Sequence, residues 1–285
     1  DFGRVAKVIL ESAPDVVAVQ ELDSMTVRYG KKYVLGEIAS RVNMHPTYFP
    51  AIEFGGGKYG IGILSKEKPL SFKGYSLPGR EEKRALLVAE FEEYLFACTH
   101  LSLTEEDRMA SLEIISGIAA ESTKPLFLAG DMNDLPGSPF IKGLEKEFHL
   151  LNNPAEKTFP APLPDRTLDY IALLKKGAPD YKVLKAEVIA EPMASDHRPV
   201  MVELEIQEEK GETFTAVIDG LERSYKFYAP EGLQPGAPLV FVLHGYGARI
   251  EHVDDKGFSE AAEKYGFAVC YPQGAKDGRG NPCWN

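Results

Sequence analysis

The chain has 285 residues, a formal net charge of −11 and three cysteines, with 44% apolar and 26% charged residues. That composition is globular and excludes a mostly disordered protein; three cysteines are too few for a disulfide-built scaffold, and no run of about 18 apolar residues offers a membrane span. Length allows one large domain or two ordinary ones, and the charge divides as 24 Lys+Arg against 31 Asp+Glu in residues 1–206 and 8 against 12 in 207–285, so neither part has the basic field that binding to duplex nucleic acid needs.

Taken in chain order, residues 3–13 read as a helix that ends before Pro14, and the apolar run at 15–21 reads as a buried strand. A helix is expected over 31–42, then strands near 47–53, 59–65, 84–91 and 94–100. Thr104 followed by three acids predicts a capped helix to about 121. Residues 125–131 form another buried strand, a Pro-rich loop occupies 154–164, and strands follow near 167–174, 182–190 and 198–206. Strands outnumber helices and several are consecutive, which predicts a mixed, partly antiparallel layered α/β fold. The pattern breaks into a charged linker at 207–212. It restarts with strands near 213–218, 223–229 and 238–245, a helix around 256–265 and a strand at 267–271. The chain starts without Met, directly in a helical pattern, and stops just after Cys283-Trp284, so both ends are expected to be cut.

Four motifs are read as strands delivering a polar residue at their C-terminal ends: Val19-Gln20-Glu21, Thr99-His100-Leu101, Gly130-Asp131-Met132-Asn133 and Ser195-Asp196-His197. In a fifth, Leu168-Asp169-Tyr170-Ile171, a lone acid sits within an apolar strand. Hard divalent cations prefer carboxylate oxygens, and phosphoryl chemistry needs charge neutralisation, a base for water and donors for the developing oxyanion. Glu, Asp, Asn and two His at strand ends are suited to that work.

These five motifs, in this order over residues 1–206, resemble those of the endonuclease/exonuclease/phosphatase superfamily. The resemblance implies a four-layer α/β sandwich of the DNase I type and a Mg²⁺- or Mn²⁺-dependent phosphoester hydrolase. It implies Glu21 as the main metal ligand with Asp196 as a second acid near the metal. Asp131 and Asn133 are then the pair that orients water and holds phosphate, and His197 the essential histidine paired with Asp169. His100 occupies a position where apurinic endonucleases usually carry tyrosine, which points away from that repair role. The family's opening strand, with an Asn that helps hold the metal, is expected to precede Asp1.

Some residues stay open. Arg84 and Arg108 read equally as phosphate-facing arginines or as salt-bridge partners. Gly55-Gly56-Gly57-Lys58 lacks the phosphate-loop spacing and reads as a mobile loop. His45, His149 and His252 read as structural or surface residues, and Cys98 as a small core residue.

Residues 213–285 resemble the opening part of polyhydroxybutyrate depolymerase-like and feruloyl esterases of the α/β-hydrolase fold. The resemblance rests on Arg223–Pro230, on His244-Gly245-Tyr246-Gly247, on Gly266–Gly274 with its Tyr-Pro-Gln, and on Cys283-Trp284-Asn285. It implies that 244–247 supplies backbone N–H groups for an oxyanion hole, with His244 orienting the loop. It also implies that Cys283 pairs with a later cysteine, as in an exported protein. No G-x-S-x-G occurs, so this part is expected to be incomplete as an esterase.

The leading expectation is therefore a metal-dependent phosphoester hydrolase, secreted or periplasmic. It would act on a small-molecule or lipid-like phosphoester rather than long nucleic acid, with no protein partner inferable. The alternative is a bifunctional secreted protein whose main activity is a serine carboxylesterase. A third reading, a non-catalytic binding module, is opposed by the retention of Glu21, Asp131, Asn133, Asp169, Asp196 and His197.

Overall fold

The computed structural model describes residues 2–206, 210–254 and 256–284. Two compact units divide between 207 and 208; residues 207–209 of the expected linker lie outside the described residues.

The first unit runs α1 (Phe2–Ser12), β1 (Val16–Ser24), α2 (Val34–Val42), β2 (His45–Phe54), β3 (Gly57–Ser65), β4 (Ser71–Leu77), β5 (Arg84–Glu90) and β6 (Leu95–His100). It continues with α3 (Glu105–Glu121), β7 (Leu126–Asp131), α4 (Pro139–Glu147), β8 (Phe148–Leu150), β9 (Asp169–Leu174), β10 (Tyr181–Val188) and β11 (Val200–Ile206). Its sheets have the orders β1-β3-β2, β4-β5-β6-β7-β9-β8 and β10-β11.

Side-chain alternation builds the layers. Along β5, Leu86 and Val88 pack towards α3 and α4 with Ile115, Phe140 and Leu144. Ala85, Leu87 and Ala89 point the other way, onto Ile61 and Ile63 of β3. A strand buried on both faces needs the continuous apolar run that Arg84–Glu90 supplies. On the far side of β1 and β3, Leu22 and Leu64 pack against Ala6 and Ile9 of α1 and Leu35 and Ile38 of α2. The order helix, sheet, sheet, helix is the expected four-layer sandwich.

Three local expectations change. Thr104 stands before α3 with an extended backbone, but its hydroxyl makes no capping bond. α4 was not expected; its signal was Ser138-Pro139, where Ser138 Oγ accepts from Ile141 N at 3.2 Å and Pro139 opens the helix. β4 was also missed. It is an edge strand with a central Gly74, where any Cβ would collide with the Phe49 ring at 2.0 Å.

The second unit contains β12 (Glu212–Ile218), β13 (Leu221–Tyr228), β14 (Leu239–Phe241), α5 (Phe258–Tyr265), β15 (Ala268–Pro272), β16 (Ala275–Lys276) and β17 (Pro282–Cys283). Its main sheet has the order β12-β13-β15-β14, with β14 and β15 parallel. Ala262 of α5 packs on Val269 and Tyr271. β14 ends at Phe241, three residues before His244, so 244–247 is loop, not strand. No described helix in either unit is long and apolar enough to cross a membrane.

Candidate active site

Register assembles the site. β6 and β7 are parallel and end together, with His100 opposite Asp131. β9 is antiparallel to β7, so its first residue, Asp169, lies opposite Asp131. β5 is antiparallel to β6 and starts at Arg84, next to the residue facing His100. One edge of the six-stranded sheet therefore carries Arg84, His100, Asp131 and Asp169 side by side. Asp169 thus begins its strand rather than sitting within it, and Ser195-Asp196-His197 precedes β11 rather than ending a strand. For Asp169 the physical reason is that an antiparallel strand offers its start where its neighbour offers its end; Ser195-Asp196-His197 reaches the site from a loop.

Close approach at this edge depends on Gly130. Its φ is +149°, and a Cβ there would lie 2.0 Å from the Thr99 carbonyl oxygen. Beyond it, Asp131 Oδ1 accepts from Asn133 N at 2.8 Å, and Asn133 Nδ2 donates to Leu101 O at 2.8 Å. Asn133 takes a left-handed backbone, φ +48°, which Asn tolerates better than most residues. The Asp131–Asn133 pair is thereby fixed by local bonds.

Glu21 is placed by a bulge. Val19 faces Gly62 and Leu22 faces Gly60, so Gln20 and Glu21 together oppose Ile61. Glu21 adopts φ +57°. A bulge re-aims a side chain in this way; Glu21 is exposed, and its charge acts on buried Asp131.

The histidine comes from the loop ahead of β11. His197 Nδ1 donates to Asp169 Oδ2 at 2.8 Å, its Nε2 lies 3.8 Å from Asp131 Oδ2, and Phe159 packs on the ring at 4.7 Å. The Pro-rich loop is stapled alongside: Ala161 N donates to Asp196 O at 2.6 Å and Arg198 Nε donates to Ala161 O at 2.7 Å. Asp196 itself is exposed and accepts from Ser195 Oγ at 3.2 Å.

The two histidines are driven apart electrostatically. Burial, the Arg84 charge and His197 push the His100 imidazolium down to about 3, so this ring is neutral. Its 3.5 Å approach to Asp131 is therefore a polar contact and not an ion pair. Burial also opposes the charged form of His197. The Asp169 hydrogen bond and the charges of Asp169, Asp131 and Asp196 outweigh it and raise this imidazolium to about 9. Burial and the Asp169 charge raise the carboxyl of Asp131, against the His197 charge.

The two arginines separate as well. Arg84 lies within 3.4 Å of His100, is held by Glu81 and Glu82, and is buried with its Nε unpartnered. Arg108 is 7% exposed, with Nε on Asp134 at 2.9 Å and Nη1 on Ser102 O at 3.0 Å. Both groups are spent on tying α3 to the loops after β6 and β7. Arg108 is thus a clamp in this structure, as in the salt-bridge alternative of its reading.

Sequence reasoning missed Asn152, whose side chain donates to Asp169 O and accepts from Ile171 N. It missed Phe159 and Glu81 too. None belongs to a motif; each is brought in by chain folding alone. Glu81 is an exposed residue; against its partial desolvation, the bonds from Leu103 N, Ser102 and Arg84 lower its carboxyl to about 2.

The charge pattern fits a cation. Asp131 and Asp169 face each other at the sheet edge, the negative charges around Asp131 disfavour its ionisation, and a divalent ion would relieve that repulsion. Ligand atoms of Asp131, Asp169 and His197 lie within 4.8 Å of one another, and among the described residues no other such group occurs. The expected ligands Glu21 and Asp196 fall outside that cluster.

In the second unit His244 is 2% exposed and fully engaged. Its Nε2 accepts from Gly274 N at 2.9 Å, and its Nδ1 lies 2.8 Å from Gly245 O. Trp284 Nε1 donates to His244 O at 2.6 Å, and Gly247 N donates to Pro282 O at 2.9 Å. Tyr246 is exposed, and its hydroxyl donates to Asp277 at 2.7 Å.

Comparison with known proteins gives one family match. The model of the Endonuclease/Exonuclease/phosphatase family matches residues 1–245, past the boundary of the first unit. No curated protein matches the chain. Among solved structures it is similar to an endonuclease/exonuclease/phosphatase from Beutenbergia cavernae, with 21% identity and TM-score 0.57 over 82% of this chain and 74% of that one. A second, from Bacteroides vulgatus, gives 16%, 0.60, 72% and 90%. A Bacteroides thetaiotaomicron mannosyl-6-phosphatase gives 15%, 0.57, 72% and 90%. At these identities the likeness is one of fold.

Proposed function

The chain belongs to the Endonuclease/Exonuclease/phosphatase family, and from that premise we propose that its first unit is a Mg²⁺- or Mn²⁺-dependent hydrolase in which Asp131, His197 and Asp169 work as one chain. It is a phosphoester hydrolase. The observation that carries the finer reading is the run Asp131–His197–Asp169, with separations of 3.8 and 2.8 Å, where two strand ends and a loop meet beside a neutral His100.

The residues divide the work. Glu21, Asp196 and the Asp131 side of the site would hold the cation, since hard divalent ions take carboxylate oxygens. His197, protonated up to about pH 9, is a poor metal ligand and a good proton donor. When bound, the cation supplies charge neutralisation at the phosphoryl oxygens. Asp131, buried at the end of β7, accepts a proton from the attacking water. Asn133 keeps that carboxylate oriented through its backbone N–H. His197 donates from Nε2 to the developing oxyanion while Asp169 holds Nδ1. Neutral His100 and Arg84 offer further donors to the phosphate.

A small or lipid-like phosphoester is the favoured substrate class. It is supported by the −7 charge of residues 1–206 and by the mannosyl-6-phosphatase among the fold neighbours. The test is turnover of bis-p-nitrophenyl phosphate by the full chain. We expect loss of turnover with EDTA and recovery with Mg²⁺ or Mn²⁺; turnover indifferent to EDTA contradicts the reading.

A second reading concerns residues 213–285. We propose that they are the opening part of a secreted or periplasmic esterase of α/β-hydrolase type. The locked His244 supports it, because an oxyanion loop needs backbone N–H groups held still and no chemistry from its histidine. The coding sequence downstream tests it: a G-x-S-x-G followed by Asp and His supports this reading, and their absence removes it.

A further inference from the structure

The loops that leave the catalytic edge carry large apolar side chains into solvent. Met25 and Val27 follow Glu21, Leu103 follows His100, and Leu135 follows Asn133. Met193 lies four residues before His197. Leu163 is two residues past Ala161, which is bonded to Asp196. All six are half or more exposed, Val27 at 68% and Leu163 at 81%. Elsewhere a single exposed leucine needs no explanation, but six on the loops around one polar centre form a rim.

One lobe of this rim is basic and firmly built. Residues 25–32 contain Arg28, Lys31 and Lys32 with no acid, and at the tip of the β2–β3 hairpin Lys58 is paired with Glu53 at 3.7 Å. Val27 N donates to Gly55 O at 2.9 Å and Lys31 Nζ to Gly56 O at 2.7 Å, tying segment to hairpin. Arg28 forms a bidentate pair with buried Asp23, and its guanidinium lies 4.6 Å from the Phe54 ring centroid. Exposed Tyr29 and Phe54 flank it. The expected mobile loop at Gly55–Lys58 is thus a tied turn.

We propose that this rim is an interfacial binding surface that seats on an anionic phospholipid bilayer, so that the phosphoester presented to Asp131 and His197 is borne by a lipid headgroup. This rests on the hydrolase reading above. Apolar side chains inserted at the headgroup boundary, joined by cations over anionic lipid, are the two contributions that hold a protein to a membrane surface. Single-stranded nucleic acid would also meet a basic lobe, but it needs flat aromatic platforms for stacking. The six rim residues are not aromatic, and the two aromatic rings of the lobe are already engaged, Tyr29 stacked on Phe2 and Phe54 against Arg28 and Tyr59. The net charge of −11 does not bar contact with an anionic surface, because Lys31 and Lys32 stand in a segment, 25–32, that contains no acid.

The test is co-sedimentation of the full chain with vesicles of phosphatidylcholine alone and of phosphatidylcholine with phosphatidylglycerol. Release of phosphate-bearing product from the lipid and turnover of soluble bis-p-nitrophenyl phosphate are measured in parallel. We expect binding to the anionic vesicles and lipid cleavage there. In Val27→Asp with Leu163→Asp, affinity should fall at least about tenfold with soluble turnover unchanged, because neither residue touches the catalytic groups. Lys31→Gln with Lys32→Gln should cost roughly 30-fold on anionic vesicles and little on neutral ones. Failure of the wild type to sediment, sedimentation indifferent to both double variants, or displacement by single-stranded DNA overturns the surface. Soluble turnover without vesicle binding isolates that failure from the hydrolase reading. Vesicle binding with soluble turnover but no lipid cleavage overturns the substrate assignment, and binding with neither activity overturns the hydrolase reading and the substrate assignment together.

Discussion

At the residue scale, the site separates two histidines by environment. His100 is buried against a guanidinium and neutral; His197 is paired with Asp169 and charged. The sign of the pH dependence follows. A pKa raised on folding contributes stability that is full below the unfolded value, about 6.5 for histidine, and is lost as pH rises through about 9. Asp131 is also raised, so its contribution is likewise lost with rising pH. In EDTA, thermal melts should therefore fall between pH 6 and 9, and Mg²⁺ should flatten the fall. A melt that rises over that range contradicts the assignment. Asp169→Asn should lower kcat by about 10²- to 10⁴-fold. It should also move the basic limb of the pH–rate profile to lower pH, because the group that holds the His197 proton is weakened. A profile that keeps its basic limb in this variant would separate Asp169 from His197.

At the element scale, antiparallel pairing and one glycine bring the site together. Gly130→Ala forces a Cβ onto the Thr99 carbonyl and should cost about 2–4 kcal/mol in urea unfolding; a neutral result would mean that the two strands can part freely. Arg108→Ala leaves Asp134 buried without its cation and should cost about 3–5 kcal/mol. KM should stay unchanged in the protein that folds; a KM raised tenfold at unchanged stability would restore the phosphate-facing role.

The same scale shows what the amino-acid order makes legible. Glu21, His100, Asp131 and Asn133 stand at or just past runs of apolar residues, and strand ends are visible in such runs. Asp169 and His197 were found by motif, but the place of Asp169 at a strand start depends on which strands pair, and that of His197 on a loop folded against it, both non-local properties. Asn152, Glu81 and Phe159 left no local signal because their roles arise from contacts across distant loops. β4 and α4 escaped for a different reason: one is an edge strand with a central glycine, the other a helix signalled only by Ser138-Pro139.

At the scale of the whole molecule, charge and apolarity are distributed with the chemistry. The catalytic edge gathers carboxylates that repel one another, a pattern that fits a cation. Around it the loops carry aliphatic side chains outward, and one lobe gathers lysines and an arginine. The family match extends to residue 245, across the division between the two units, while the loop at 244–247 is locked by bonds within the second unit. The account's central claim is that Asp131, His197 and Asp169 together cleave a phosphoester with a divalent ion. Its most direct test is the rate of bis-p-nitrophenyl phosphate hydrolysis by the full chain in Mg²⁺, compared with His197→Ala and with wild type in EDTA. The account predicts measurable turnover in the first and its loss, by about 10²-fold or more, in the other two; equal rates in all three would contradict it.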